Sequence, residues 1–408
     1  MSLKGSCLIG QSGGPTSVIN SSVYGAASAA LDSGDIIRVL AAHHGIKGVL
    51  DDVIFDLGCE DRAELALLKN TPSSAFGSCR YKLTDPEKDD TDFKRILDIF
   101  KKYDVRYFFY VGGNDSMDTC EKISRYMRMV NYECRVMGIP KTIDNDLSGT
   151  DHCPGYGSAA RYIATSCMEV SLDMRVYDTG AVTVMEIMGR NAGWLTAASA
   201  LAAYNGAGPD LIYLPETDFN LNEFLDRVEA MYKERGSVFV AVSEGIHDAD
   251  GVLISEYASR GAEKDAFGHV QLGGLAEYLA HEIKERTKAK VRGIELSLLQ
   301  RCAAHCASQT DIDEACSAGA FAVSSAIEGK SDCMVGFKRG EGKYTCENVL
   351  VPLSEAANFE KKIPLEWITN GGVTDELIRY VTPLIQGEPD RALIDSLPRF
   401  AHLKLVRA

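Results

Sequence analysis

Short, unbroken apolar runs alternate along the chain with helix-length segments of mixed polarity. The runs are Cys7-Leu8-Ile9, 36–40, 107–111, 136–139, 182–188, 211–214 and 238–242. Runs of this length read as strands buried on both faces. The segments 16–31, 116–129, 157–174 and 221–234 read as helices, the last with Asn220 as N-cap and Gly236 beyond its end. Such alternation predicts a doubly wound α/β architecture, with mainly parallel sheets covered by helices on both sides. Ligands in these sheets gather at the carboxyl ends of strands, so the turns that follow the apolar runs are the first place to look for chemistry.

Composition narrows the partners. The chain has 408 residues, 45% of them hydrophobic, which suits two or three domains with a sizeable core. A formal net charge of −15 argues against nucleic acid or an anionic membrane as the main partner and for a small molecule. No apolar run reaches the roughly 20 residues that span a bilayer, and the N-terminus carries no signal segment, so a cytoplasmic protein is expected. Twelve cysteines lie between Cys7 and Cys346 without a CxxC pair and read as buried thiols rather than disulfides or a zinc site.

Three strand-following turns carry unusual residues. Ser12-Gly13-Gly14-Pro15-Thr16 follows the opening strand, where backbone without side chains lets amide groups approach a phosphate at a helix N-terminus. It matches neither the P-loop nor the dinucleotide pattern, and an ordinary turn remains an alternative. Val111-Gly112-Gly113-Asn114-Asp115-Ser116 repeats the arrangement but places a carboxylate in it, which is costly beside phosphate unless a cation is present. Gly138-Ile139-Pro140-Lys141-Thr142-Ile143-Asp144-Asn145-Asp146 offers that cation together with two carboxylates. A solvated DxD turn is the plain reading of the last motif. A base for a substrate hydroxyl beside a cation for a phosphate is the functional one.

In order and approximate spacing, the segments around Ser12, Gly112, Lys141, Met188 and Arg301 resemble the phosphofructokinase family. The resemblance runs from Cys7 to about Gly336 and looks like the pyrophosphate-dependent branch, particularly its bacterial clostridial-type members. It implies two Rossmann-like domains and a C-terminal extension. A phosphoryl-donor domain would span 1–155 with about 300–345, a sugar-phosphate domain 156–299, and the extension 346–408. It also implies reversible, Mg²⁺-dependent phosphoryl transfer from pyrophosphate to fructose 6-phosphate by a homodimer or homotetramer.

By the same resemblance Asp144 is the base for the 1-hydroxyl of fructose 6-phosphate, with Thr142 and Asp146 beside it, and Arg80 neutralises the transferring group. Gly13, Gly14 and Gly113 would hold pyrophosphate. Asn114 stands where the family often has a metal-binding aspartate; an amide oxygen can still hold Mg²⁺ or one of its waters. ATP-using relatives have glycines where this chain has Asp115 and Lys141. A carboxylate at Asp115 would meet the α-phosphate of ATP with like charge, whereas pyrophosphate ends before that point and Lys141 can offset the charge on its leaving phosphate.

For the sugar phosphate, the matching positions are Met188-Gly189-Arg190, Glu244, Arg292, Leu298 and Arg301, with Arg292 reaching a neighbouring subunit's site. The segment Gly268-His269-Val270-Gln271-Leu272-Gly273-Gly274 resembles a family phosphate segment too, but its helix follows it rather than precedes it, and Leu298-Leu299-Gln300-Arg301 matches better. Two departures stand out: Leu298 replaces a family histidine, and Ala181 falls where ATP-using relatives have an interface arginine. An ATP-dependent sugar-phosphate kinase and a non-enzymatic sugar-phosphate-binding regulator are the alternatives; the first should have glycine at 115 and 141, the second should have lost Asp144 or Arg80. A dinucleotide oxidoreductase lacks its glycine spacing here.

Overall fold

The structure is a computed structural model that describes residues 3–176, 178–204, 206–260, 274–357 and 359–408. It divides into two compact units, one of Met1–Ser158, Arg301–Glu360 and Ile385–Ala408, the other of Ala159–Gln300 and Lys361–Leu384. The strands of the large sheets are, in chain order, β1 (Gly5–Gln11), β2 (Ile36–Ala42), β3 (Ile54–Asp56), β4 (Val105–Gly112), β5 (Arg135–Pro140), β6 (Ala181–Ile187), β7 (Leu211–Tyr213), β8 (Ser237–Ser243), β9 (Val291–Glu295), β10 (Cys333–Arg339) and β11 (Cys346–Pro352).

The first unit holds a seven-stranded sheet in the order β11-β10-β5-β4-β1-β2-β3. Its inner pairs are parallel, and only the pairs of β2 with β3 and of β10 with β11 are antiparallel. Both faces are dry. On β4, Tyr107, Phe109 and Val111 enter one apolar cluster with the helices Ile19–Leu31 and Gln309–Ile327, while Phe108 and Tyr110 enter the other with Thr91–Lys102 and Asn114–Met129. A strand buried on both sides must be apolar throughout, which is why it reads as an unbroken run. The C-terminal residues lie along β3: Asp56 and Ala408 exchange backbone bonds with Val406 and Ile54, and Glu60 accepts from the amides of Lys404 and Leu405.

The second unit holds a wholly parallel sheet in the order β7-β8-β6-β9. Val182 and Val184 of β6 and Val238, Val240 and Val242 of β8 pack with the helices Leu221–Arg235 and Leu275–Thr287. The first of these helices has the ends its sequence predicts. Asn220 accepts from the amides of Asn222 and Glu223, and Gly236 closes the helix in the left-handed region at φ +73°.

The α/β reading of the sequence therefore holds, with local differences. The opening helix starts at Ile19 rather than at 16, because the Thr16 hydroxyl accepts from the Val18 amide and holds a turn there. Strands β3, β9 and β11 carry no long apolar run; all three lie at sheet edges, where one side of the strand needs no burial. Residues 346–360 and 385–408 fall in the first unit and 361–384 in the second. The helix Leu275–Thr287 follows the rejected phosphate segment, whose residues 268–273 lie outside the described residues. No helix among the described residues is long and apolar enough to cross a membrane.

Candidate active site

The ends of β1, β4 and β5, adjacent parallel strands at the centre of the first sheet, converge on a cavity of about 720 Å³. Chain order reverses between β1 and β4, where an open α/β sheet forms a crevice. The lining includes Gly13, Gly14, Arg80, Gly113, Asn114, Asp115, Lys141, Thr142, Asp144 and Asp146. Arg301 belongs beside them: its Nη1 lies 3.2 Å from where Gly14 would carry a Cβ.

Each turn is shaped by its residues. Gly13 adopts φ +76°, its amide donates to the Cys79 carbonyl at 3.1 Å and its carbonyl accepts from the Ser78 hydroxyl at 2.6 Å, which ties the turn to the segment carrying Arg80. A side chain on Gly13 would be strained and would press toward the Lys141 Nζ, 3.2 Å from the Cβ position. After β4 the chain turns at Gly113 into the helix Asn114–Met129, and no side chain caps that helix. Its first amides and positive dipole end therefore favour an anion at the cavity.

Lys141 is the central cation. It is 3% exposed, its amide donates to Gly112 O at 3.0 Å and its Nζ donates to Gly14 O at 2.6 Å, so it ties together the turns after all three strands. Burial lowers its pKa to about 8, with Arg80 and Arg301 adding repulsion, against the opposing pull of Asp144 and Asp146. A bound phosphate would supply the counter-charge that burial withholds. Asp115 stands exposed in the first turn of the helix, on the wall of the same cavity.

The carboxylates of the third turn are held apart by the backbone. Asn145 lies between them with φ +55°, fully buried, and its Oδ1 accepts from the Cys153 amide at 2.9 Å. The Thr142 hydroxyl accepts from the Asp144 amide at 3.1 Å. Burial raises the Asp146 pKa, and Glu360 adds to the rise, while its own backbone amide, the Thr142 hydroxyl and Lys141 oppose it. Asn114 Oδ1 is buried without a hydrogen-bond partner although the residue lines the cavity, so one acceptor there is open to a cation or a cation-bound water.

In the second unit the strand ends gather a different set. Met188, Gly189 and Arg190 follow β6 and Glu244 follows β8. Gly189 has φ +128°, its amide donates to Glu244 Oε1 at 3.4 Å and its carbonyl accepts from the Ser243 hydroxyl at 2.5 Å. The Met188 amide donates to Gln300 Oε1 at 3.1 Å, which ties β6 to the turn bearing exposed Leu298. Burial raises the pKa of Glu244, against the pull of Arg190. Arg292 is not gathered with them. It pairs with Thr183 in mid-strand on β9 and faces Asp173 at 3.9 Å, in a separate cavity of about 320 Å³.

Tyr81, Lys82 and Glu360 also line the first cavity, and no motif announced them. Lys82, two residues beyond Arg80, could have been suspected as a further phosphate cation. Glu360 could not, because a backbone bridge between Leu147 and Glu360, far apart in sequence, is what brings it to Asp146.

The phosphofructokinase family model matches residues 6–326. The pyrophosphate–fructose 6-phosphate 1-phosphotransferases of Halomonas elongata and of Xanthomonas campestris pv. campestris are each 42% identical; the matches cover 96% of this chain and 94% of the former protein, and 98% and 97% for the latter. A crystal structure of the pyrophosphate-dependent phosphofructokinase from Nitrosospira multiformis superposes with a TM-score of 0.90 at 38% identity, covering 99% of this chain and 98% of that one. With glycine turns, a buried lysine and a DxD loop at the ends of adjacent strands, and with that likeness over nearly its whole length, this chain belongs to the phosphofructokinase family.

Proposed function

We propose that the chain catalyses reversible transfer of a phosphoryl group from pyrophosphate to the 1-hydroxyl of fructose 6-phosphate, giving phosphate and fructose 1,6-bisphosphate. The observation that carries this reading is the presence of Asp115 and buried Lys141 on the wall that also bears Asp144. Asp144 takes the hydroxyl proton as the sugar oxygen bonds to the terminal phosphorus and the bridging phosphorus–oxygen bond breaks. Lys141 and Arg80 meet the charge that gathers on the leaving phosphate and the transferring group, and the uncapped helix end and the Gly13-Gly14 turn hold the remaining oxygens. Thr142 and Asp146 bind the sugar beside Asp144, and the Thr142 hydroxyl also holds the Asp144 amide.

Asn114 would hold Mg²⁺, directly or through water; its unpartnered buried oxygen suits that role. The ion, when bound, supplies neutralisation of pyrophosphate charge. Asp115 sets donor choice by opposing the α-phosphate of a nucleotide. On the sugar side, Glu244 accepts from sugar hydroxyls, Met188, Gly189 and Arg190 shape their pocket, and Arg301 binds the 6-phosphate. A homodimer or homotetramer goes with this reading, because mid-strand Arg292 would then serve a neighbouring subunit's site and Leu298 would lie near that junction.

The test is an assay with Mg²⁺ and fructose 6-phosphate, offered pyrophosphate or ATP, following fructose 1,6-bisphosphate. Product with pyrophosphate alone is expected. Product with ATP alone overturns the role of Asp115, and product with neither overturns the substrate assignment.

A further inference from the structure

Away from the cavity, the first unit contains a buried polar cluster that the reaction does not use. The segment Thr150-Asp151-His152 is pinned to β10: the Asp151 amide donates to Phe337 O at 2.9 Å, and the Thr150 hydroxyl accepts from the Phe337 amide at 2.8 Å. The imidazole of His152, 3% exposed, lies against the Phe337 ring with centroids 4.8 Å apart. Its Nδ1 is 2.8 Å from Asp151 Oδ1, and its Nε2 is 2.7 Å from Glu314 Oε2 on the helix Gln309–Ile327.

Carboxylates accept hydrogen bonds and cannot donate them when ionised. Asp151 is gripped by Arg339, whose Nη2 reaches Oδ1 at 2.9 Å and whose Nε lies 3.2 Å from both oxygens, so Asp151 is the fixed, ionised acceptor for an Nδ1 proton. The Tyr344 hydroxyl donates to Glu314 Oε1 at 2.6 Å, which orients Glu314 as an acceptor too. A positive species, a second imidazole proton or a metal ion, must therefore lie between Nε2 and the carboxylate oxygen. A third potential ligand lies nearby. The Cys346 sulfur, on β11 and paired across the ladder with Arg339, has its place in a group of His152, Glu314 and Cys346 ligand atoms all within 4.8 Å of one another.

We propose that His152, Glu314 and Cys346 form a binding site for a divalent transition-metal ion of the zinc class, with Asp151 orienting the histidine. Nitrogen, oxygen and sulfur from three separate elements are the donor set of a borderline cation, with a water or the second Glu314 oxygen completing four-coordination. A metal-bound histidine commonly donates its other N–H to a carboxylate, as the Nδ1–Asp151 pairing would here. Charge also balances: Arg339 offsets Asp151, and a dication offsets the Glu314 carboxylate and a Cys346 thiolate. The Cys346 sulfur becomes a strong ligand when a cation takes the place of its proton. Tetrahedral bonds of about 2.0–2.3 Å require Nε2 and Oε2 to part by roughly 0.6 Å and the sulfur to close in by up to about 1 Å, both side-chain adjustments. Such an ion would brace the segment that carries Lys141, Thr142 and Asp144, because the Cys153 amide next to His152 is what Asn145 accepts from.

The full chain, stripped with chelator and then titrated with Co²⁺, tests this. One equivalent per chain is expected, with a thiolate-to-cobalt charge-transfer band that Zn²⁺ abolishes and that Cys346→Ser removes. Cys59→Ser, at an exposed cysteine, should keep the band. Glu314→Gln should weaken Zn²⁺ binding at least tenfold. Absence of the band in the native chain, its survival in Cys346→Ser, or nitrogen NMR showing protons on both His152 nitrogens after Zn²⁺ treatment would each overturn the site; the last would assign the bridge to a proton.

Discussion

The two units place their site residues at equivalent positions, the carboxyl ends of parallel strands, yet the two ends are built differently. In the first unit three adjacent turns bring glycines, an uncapped helix end and a buried lysine together, a lining that favours small, highly charged anions. In the second, Glu186 and Glu295 are paired across β6 and β9, Glu244 lies on the neighbouring strand end, and exposed Arg190 is the cation of the turn after β6. The first cavity sets Arg80, Lys82 and Lys141 against its four carboxylates, whereas at the second strand ends carboxylates outnumber the cation, a set that suits hydroxyls better than phosphate. The two strand-end surfaces thus differ in charge, through their turns and through Glu186 and Glu295 near the ends of β6 and β9.

The largest expected effect belongs to Asp144. Asp144→Asn keeps the shape of the side chain but cannot take the hydroxyl proton, and kcat should fall by about 10³-fold or more with both KM values within a few-fold of native. A fall in affinity without a fall in kcat would show that the first unit only binds. Lys141→Met comes next, with a loss of about 10²-fold in kcat/KM for pyrophosphate. The native enzyme should lose kcat/KM for pyrophosphate as pH rises through about 8, where buried Lys141 gives up its proton, and the variant should lack that limb. The stability effect has the opposite sign. An unfolded lysine stays protonated up to about 10.4, so the cost of burying the charge is relieved as pH rises from about 8 toward that value. Below pH 8 the variant should therefore melt no lower than the native chain, as a thermal scan would show.

Much of the first surface was legible in the sequence, because its chemistry lies on short contiguous motifs right after runs that are apolar on both faces. Residues 13–14, 113–115 and 141–146 needed only the knowledge that adjacent strands end at one edge. What was hidden depends on long-range pairing. Glu360 reaches the cavity through a bridge to Leu147, and β9 and β11, at sheet edges, lack the unbroken apolar signal of β4. The second surface was read through family likeness, since a lone Arg190 or Glu244 beyond a strand is indistinguishable by pattern from a solvated charge. The His152 cluster had no spacing to announce it, its members coming from a loop, a helix and an edge strand.

The smallest expected effect sharpens the contrast most. Glu244 is half-buried, with Arg190 and Glu295 as its charged neighbours, and its Oε1 already accepts from the Gly189 amide, so its other oxygen is the one left for a ligand. Glu244→Gln keeps one carbonyl oxygen for Gly189 but replaces the second acceptor with a donor. If that oxygen accepts from a sugar hydroxyl, KM for fructose 6-phosphate should rise about tenfold, the loss of one hydrogen bond to a charged group, while KM for pyrophosphate stays unchanged. Steady-state kinetics with each substrate varied in turn separates the two. Equal shifts in both KM values would mean that the substitution has disturbed the turn itself, and the division of labour between the strand ends would have to be redrawn.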